Sequence, residues 1–377
     1  MLDDFATQLT AWRHHLHQHP ELSRHEKQTA AFVCARLDDF GIPYEAGIGG
    51  HGVVASLKRS GSNRSVGLRA DMDALPIPEA TGKSYASRNH GVMHACGHDG
   101  HTTSLLGAAK LLQDDPDWSG LVHFVFQPAE EGFNGADAMV ADGLFERFPM
   151  GQIFGYHNWP GLEAGTVMLH PGVVMAGATN FEITLKGKAG HAGMPHLCTD
   201  PVQGIAQLVV AVNSIVARNL PPLAAGVIST CRLKAGEAHN QVPESASMGG
   251  TIRAFSAEAM VLLKRRLSET AHGVATTFGL EADIWMGGEL APTRNSLKEV
   301  DLAAEAARAA GLKVRQDMEP TMGAEDFGRF LADIPGAYVW IGNGPSAGLH
   351  NPEYDYNDTI LLMAARFLAA CAKAALR

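Results

Sequence analysis

Paired cysteines, an excess of basic charge and long apolar runs are all missing from this sequence. The five cysteines (Cys34, Cys96, Cys198, Cys231, Cys371) are odd in number, widely spaced and contain no CxxC. A disulfide framework is therefore excluded, and any special cysteine should act as a ligand or a nucleophile. Thirty basic residues against forty acidic ones leave a formal net charge of -10, which argues against a nucleic-acid or anionic-membrane partner. No uninterrupted apolar run reaches the roughly 18 residues that span a bilayer. The opening MLDDFATQLTAWRHH has neither the basic start nor the apolar stretch of a secretory signal. A soluble, cytoplasmic protein is predicted. What is present is ordinary globular composition, with 46 % hydrophobic and 19 % charged residues over 377 positions, enough for two domains. Histidine, at 18, is the unusual abundance.

The patterning predicts helices over 4–19 and 26–40, the second closed by Gly41. Strands are predicted at 52–57, 65–69, 121–126 and 153–157, with a helix at 101–113, so strands and helices alternate as in an α/β domain. Beyond Met175 the order becomes strand-helix-strand-strand-helix-strand, ending near Trp285, which resembles a ferredoxin-like α+β unit. The fold class expected is α/β. Residues 1–175 and 293–377 form a discontinuous catalytic domain, and 176–292 form an inserted domain. Gly47, Gly49 and Gly52 match GxGxxG, but they lead into the strand-like Val53–Leu57 and not a helix, so a hairpin turn is predicted rather than a nucleotide site.

Chemistry concentrates in a few short segments. In Met93-His94-Ala95-Cys96-Gly97-His98-Asp99-Gly100-His101, a cysteine and a histidine two apart in a glycine-containing loop can face one metal, and thiolate with imidazole suits zinc-like ions. Gln127-Pro128-Ala129-Glu130-Glu131-Gly132 follows a predicted buried strand, so one carboxylate can coordinate while its neighbour handles a proton. His157 ends another strand, and His350 lies in a Gly/Pro-rich loop. Each alone has an ordinary structural reading. Together they give five ligand-type residues, which with one bridging would hold two ions. Arg69-Ala70-Asp71-Met72-Asp73-Ala74-Leu75-Pro76 adds an aspartate that can orient a ligand histidine. His14, His15, His17 and His19 crowd one helix end and read as solvated or capping, and Cys34, Cys198, Cys231 and Cys371 as inert thiols.

These segments, with His17-x-x-Pro20-Glu21, GHAGMPH at Gly190–His196, Asn240-Gln241-Val242-Pro243-Glu244, Gly250-Thr251-Ile252-Arg253 and Gly323-Ala324-Glu325-Asp326-Phe327, resemble the zinc-dependent aminoacylase and carboxypeptidase superfamily nearly end to end. The nearest likeness is to the amidohydrolase branch that includes hippurate hydrolase and indole-acetyl-amino-acid hydrolases. The resemblance implies a zinc-exopeptidase-like catalytic domain with a lid and dimerisation domain inserted. It implies metal ligands Cys96, His98, Glu131, His157 and His350, with Cys96 bridging two divalent ions (Zn, Mn, Co or Ni), and Glu130 as general acid/base. Aligned on Pro76, Asp73 takes the supporting place, and Asp71 stands where other branches carry a ligand histidine. His191 matches a histidine that reaches into the partner's site of a homodimer or higher oligomer. Asn240 and Arg253 match residues that bind the substrate's polar end, and a guanidinium suits an α-carboxylate.

The expected reaction is metal-dependent hydrolysis of the amide bond of N-acyl-L-amino acids, hippurate-like or N-acetylated. The rivals are a dipeptidase or N-acyl-diaminopimelate-type deacylase with the same site, an inactive metal-binding protein, and a cysteine hydrolase using Cys96.

Overall fold

The computed structural model describes residues 2–132 and 134–377, which divide into two units. One comprises residues 1–174, 293–320 and 326–377; the other comprises 175–292 with 321–325.

In the first unit, the chain starts with helices α1 (Leu2–Gln18) and α2 (Lys27–Phe40). Gly41 closes α2 at φ 66°, its N–H returning to Asp38 and Leu37 carbonyls. The central sheet holds β1 (Tyr44–Ile48), β2 (Gly52–Arg59), β3 (Ser65–Asp71), β4 (Gly120–Gln127) and β5 (Ile153–Pro160), with the strands 336–344, 166–168 and 313–315 beyond. Its order is β1-β2-β4-β3-β5 and then 336–344, 166–168 and 313–315. Strands β4, β3, β5 and 336–344 run parallel. Parallel strands buried on both faces need continuous apolar character, which β4 and 336–344 have; all nine residues of the latter are buried. Gly47 sits at an irregularity within β1, and the turn that starts at Gly49 joins β1 to β2 as an antiparallel hairpin.

Alternation along the strands separates two roles. Val66, Leu68 and Ala70, with Val122, Phe124 and Phe126, join the core shared with Leu9 and Trp12 of α1, Val33 and Leu37 of α2, and Leu105 and Leu106 of the next helix. The intervening Arg69, Asp71 and Gln127 bond to one another. That next helix, α3 (His98–Asp114), starts three residues earlier than predicted, so His98 and His101 both lie on it, one turn apart. The stretch Asp358–Leu376 is long and apolar enough by composition to cross a membrane, although Arg366 and Lys373 interrupt it; most of it is buried inside this unit.

In the second unit, four long strands pair antiparallel in the order 281–290, 172–186, 245–254, 226–235. Helices Pro201–Asn219 and Ala257–Phe278 supply the rest of the core, through residues such as Leu208, Val212, Leu263 and Leu267 against Phe181, Ile183 and Met248. Both helices start on side-chain caps, Asp200 accepting from Val202 N and Ser256 from Ala259 N. This is the connectivity and strand order of a ferredoxin-like unit.

Candidate active site

Three parallel strands end together, and the segments leaving their carboxyl ends are where an open α/β sheet places its chemistry. Asp71 closes β3 and pairs in register with Gln127, the last residue of β4. The next residues of those segments carry Asp73, Glu130 and Glu131, while β5 carries His157.

Asp73, fully buried, organises the site. Its Oδ1 accepts from Glu130 N (3.1 Å), and its Oδ2 accepts from Glu131 N (2.9 Å) and Ser23 Oγ (2.6 Å). One carboxylate thus fixes the turn on which both glutamates sit. His98 Nδ1 donates to Asp73 O at 2.8 Å and lies 3.3 Å from its Oδ1, which leaves Nε2 as the outward atom. Among the described residues, that buried Nε2 has no hydrogen-bond partner. It lies 3.8 Å from Asp71 Oδ2 and 4.0 Å from Glu130 Oε2.

Cys96 precedes Gly97, whose φ of 93° only glycine adopts freely. A Cβ there would also lie inside contact distance of Asn158 Oδ1 and Tyr354 OH. The thiol Sγ sits 3.3 Å from His157 Nε2, and His157 Nδ1 donates to Asn158 O at 2.7 Å, which aims Nε2 at the sulfur. His350, at φ 61°, brings Nε2 to 3.0 Å from Glu131 Oε1. Among the described residues that oxygen nevertheless has no well-aligned hydrogen-bond partner.

Ligand atoms converge in overlapping sets. Those of Cys96, His98 and His157 lie within 4.8 Å of one another, as do those of Cys96, Glu131 and His350, and those of His98, Glu130 and Glu131. Cys96 belongs to two of these sets. The electrostatics are those of a cage built for cations. Burial, then Glu131 and Glu130, pushes the Cys96 thiol well above its ordinary value. Burial opposes charge on His98, yet Asp71 and Asp73 outweigh it and hold the imidazole up to about 10. Burial, then His101, drives His157 well below the usual imidazole range. Divalent ions reverse this logic by favouring thiolate and neutral imidazole. An unpartnered, buried His98 Nε2 among soft and borderline donors fits such ions.

Residues outside the expected set complete the surroundings. His101 spans from Asp71 Oδ1 (2.6 Å) to Asn158 Oδ1 (2.7 Å). Asp71 Oδ2 accepts from Arg69 Nη1 at 2.8 Å, and Arg69 Nη2 donates to Asp326 Oδ1 at 3.0 Å. Gln127 joins Arg69 and Asp326 in the same buried network. The signal for His101 was its one-turn spacing from His98, legible only once the helix is started at His98. His17 corrects the expectation of a solvated histidine. It is fully buried, with Nδ1 2.8 Å from Asp99 Oδ2 and Nε2 3.2 Å from Glu79 Oε1.

The remaining candidates belong to the second unit. His191 lies on the short strand 190–191, paired with 241–242, and Asn240 O accepts from Ala192 N at 3.0 Å, so these two candidates are neighbours. Both are exposed. Arg253 lies on the strand 245–254, half-buried, with Nη1 at Thr251 Oγ1 and 3.3 Å from Ile252 O.

The profile of peptidase family M20/M25/M40 matches residues 67–374. Hippurate hydrolase of Campylobacter jejuni is 40 % identical over 362 residues, covering 96 % of this chain and 94 % of that protein. N-acetyl-L-cysteine deacetylase of Bacillus subtilis is 37 % identical over 99 % of this chain and 89 % of its own length. Among solved structures, a Bacillus subtilis protein described as a dinuclear metal binding peptidase from the M20 family superposes with a TM-score of 0.87 at 33 % identity, covering 99 % of each chain.

Proposed function

The chain belongs to peptidase family M20/M25/M40, and from that premise we propose that it is a metal-dependent amidohydrolase of N-acyl-L-amino acids. Its relatives named for hippurate and N-acetylcysteine hydrolysis share this bond type. The observation that carries the reading is the pair of ligand sets sharing Cys96, beside the buried, unpartnered Nε2 of His98. Cys96, His98, Glu131, His157 and His350 would hold two divalent ions. Zinc, manganese, cobalt and nickel all suit the donors, and availability would select among them. Two such ions would supply Lewis acidity, lowering the pKa of water and polarising the amide carbonyl.

The chain's own residues do the rest. Glu130, buried to 8 % exposure on a turn fixed by Asp73, takes a proton as water oxygen bonds to the acyl carbon. It then returns that proton to the nitrogen as the C–N bond breaks, so a carboxylic acid and a free amino acid leave. Asp73 orients His98 and both glutamates. Arg253 and Asn240 would grip the amino acid's carboxylate, and His191 would donate to the carbonyl oxygen as charge builds there. His191 acts from a second copy of the chain in this reading. A homodimer through the 176–292 domain is supported by the edge strand 226–235, where Val227 and Leu233 are exposed, and by exposed Val210 on the helix 201–219. An N-acyl-amino-acid panel with and without a strong chelator tests the proposal. Hydrolysis of hippurate or N-acetyl amino acids that stops on chelation and returns with Mn²⁺, Co²⁺ or Zn²⁺ is expected. Undiminished turnover without metal would overturn it.

A further inference from the structure

The segments that carry the ligand candidates also hold a second buried polar cluster with no part in the chemistry above. Arg13 and His17, one turn apart on α1, present the same face and are both fully buried. Arg13 Nε donates to Asp99 Oδ2 at 2.7 Å, and Arg13 Nη2 donates to Asp355 Oδ1 at 2.6 Å. Its Nη1 reaches Asp358 Oδ1 at 3.4 Å, and its guanidinium lies over the Tyr85 ring, 4.9 Å from the centroid. Tyr85 OH in turn donates to Asp355 Oδ2 at 2.7 Å. His17 Nδ1 lies 2.8 Å from Asp99 Oδ2 and 3.2 Å from Arg13 Nη2. Arginine cannot accept, so the shorter contact sets the direction: His17 donates to Asp99, and Nη2 is directed to Asp355.

The positions of the carboxylates are what matter. Asp99 directly follows His98 in the first turn of α3. Asp355 lies five residues beyond His350, in a segment whose start is already held near Cys96 by His350 N donating to Ala95 O at 2.8 Å. One rigid guanidinium therefore joins the two segments that bear Cys96–His98 and His350. Stability alone does not explain such a group. A buried ion pair is often no more stabilising than apolar side chains of similar volume, whereas its fork geometry fixes the placement of both partners.

We propose that Arg13 is a positioning residue that locks the Cys96–His98 segment to the His350 segment and so sets the affinity of the dinuclear site. The inference rests on the metal-site reading above. Removing the outer supports of ligands typically weakens metal binding 10- to 100-fold, and Arg13→Met should show a loss of that order.

The experiment titrates Co²⁺ and Zn²⁺ into the full-length protein against a chelating dye, with circular dichroism and thermal unfolding on each sample. Arg13→Met is expected to keep the native spectrum and to lose at least tenfold in affinity for one ion or both. Asp355→Ala removes the arm toward the His350 segment together with the contacts of Asp355 to Tyr85 and Lys83, and the residue is only partly buried, so it remains informative should Arg13→Met fail to fold. It is expected to weaken one ion and leave the other. Lys373→Met removes a partly exposed ion pair with Asp115 (2.5 Å) and should leave the affinity within twofold. Parent-like affinity in Arg13→Met and Asp355→Ala, or an equal loss in Lys373→Met, would overturn the clamp, whatever happens to the melting temperature. Absence of metal uptake by the parent protein would instead overturn the site reading on which the clamp depends.

Discussion

Replacing Asp73 by asparagine tests the site's construction more sharply than deleting a ligand. The two carboxylate oxygens accept from two different backbone N–H groups, Glu130 N and Glu131 N, and Oδ2 also accepts from Ser23 Oγ. An asparagine offers one acceptor oxygen and one NH₂ donor. Whichever way it flips, a donor faces a buried backbone donor. One charge-assisted hydrogen bond is lost and one amide is left unsatisfied, together about 2–3 kcal/mol. At about 2–4 °C per kcal/mol for a domain of 150–250 residues, melting should fall by about 4–12 °C. His98 Nδ1 also loses a nearby negative charge at 3.3 Å. Metal affinity should therefore drop by about 10- to 100-fold. Ser23→Ala removes one contact without creating a buried unpaired amide, and should cost only about 1 kcal/mol. Differential scanning calorimetry and dye-competition titration of both variants provide the measurement. An Asp73→Asn protein with parent-like melting and parent-like metal affinity would refute the claim that this carboxylate holds the glutamate turn and His98 together.

Glu130→Gln is expected to retain both metal ions, measured by elemental analysis, while hydrolysis falls about 10²- to 10⁴-fold; turnover near the parent rate would remove Glu130 from proton transfer. Mixing inactive Glu130→Ala with inactive His191→Ala protein should recover partial activity through heterodimers; no recovery after proven subunit exchange would argue against action across subunits. His123 is buried beside Ser56 and Phe148, and burial holds its imidazole down to about 4. The unfolded chain, with a histidine pKa of about 6.5, takes up more protons between those two values. This residue therefore removes stability as pH falls from about 6.5 toward 4 and changes nothing above that window. Comparing urea unfolding of the parent and His123→Phe, the parent should lose about 2–3 kcal/mol more between pH 7.5 and pH 4.5; equal losses would contradict the buried neutral state.

Much of the site was legible in the sequence because its residues sit on local signals. The apolar strand 121–126 announced that Gln127–Glu131 leaves a strand end, and the Cys96/His98 spacing announced a loop with two soft donors. What stayed hidden depended on long-range register. Asp71 meets His101 only because β3 ends beside the first turn of α3, and the sequence placed that turn at His101 itself. The helix begins at His98 behind a positive-φ glycine and no side-chain cap, so the usual start signal is missing. Arg69, Gln127 and Asp326 form one network from three distant segments, and no periodicity marks such a meeting. His17 misled for a related reason. Four histidines within six residues of a helix end look solvent-facing, and the spacing that matters is the one from Arg13 to His17, which signals a shared face but not what covers it.

The left-handed backbone at His350 carries a consequence for how this chain could be improved or ruined. A residue with a Cβ held at φ 61° costs about 1–3 kcal/mol relative to a relaxed conformation. A glycine there would relieve the local strain while discarding the imidazole. Selection for thermal robustness alone should therefore favour losing that side chain, whereas selection for catalysis should keep it. Robustness and turnover pull in opposite directions at this one loop position.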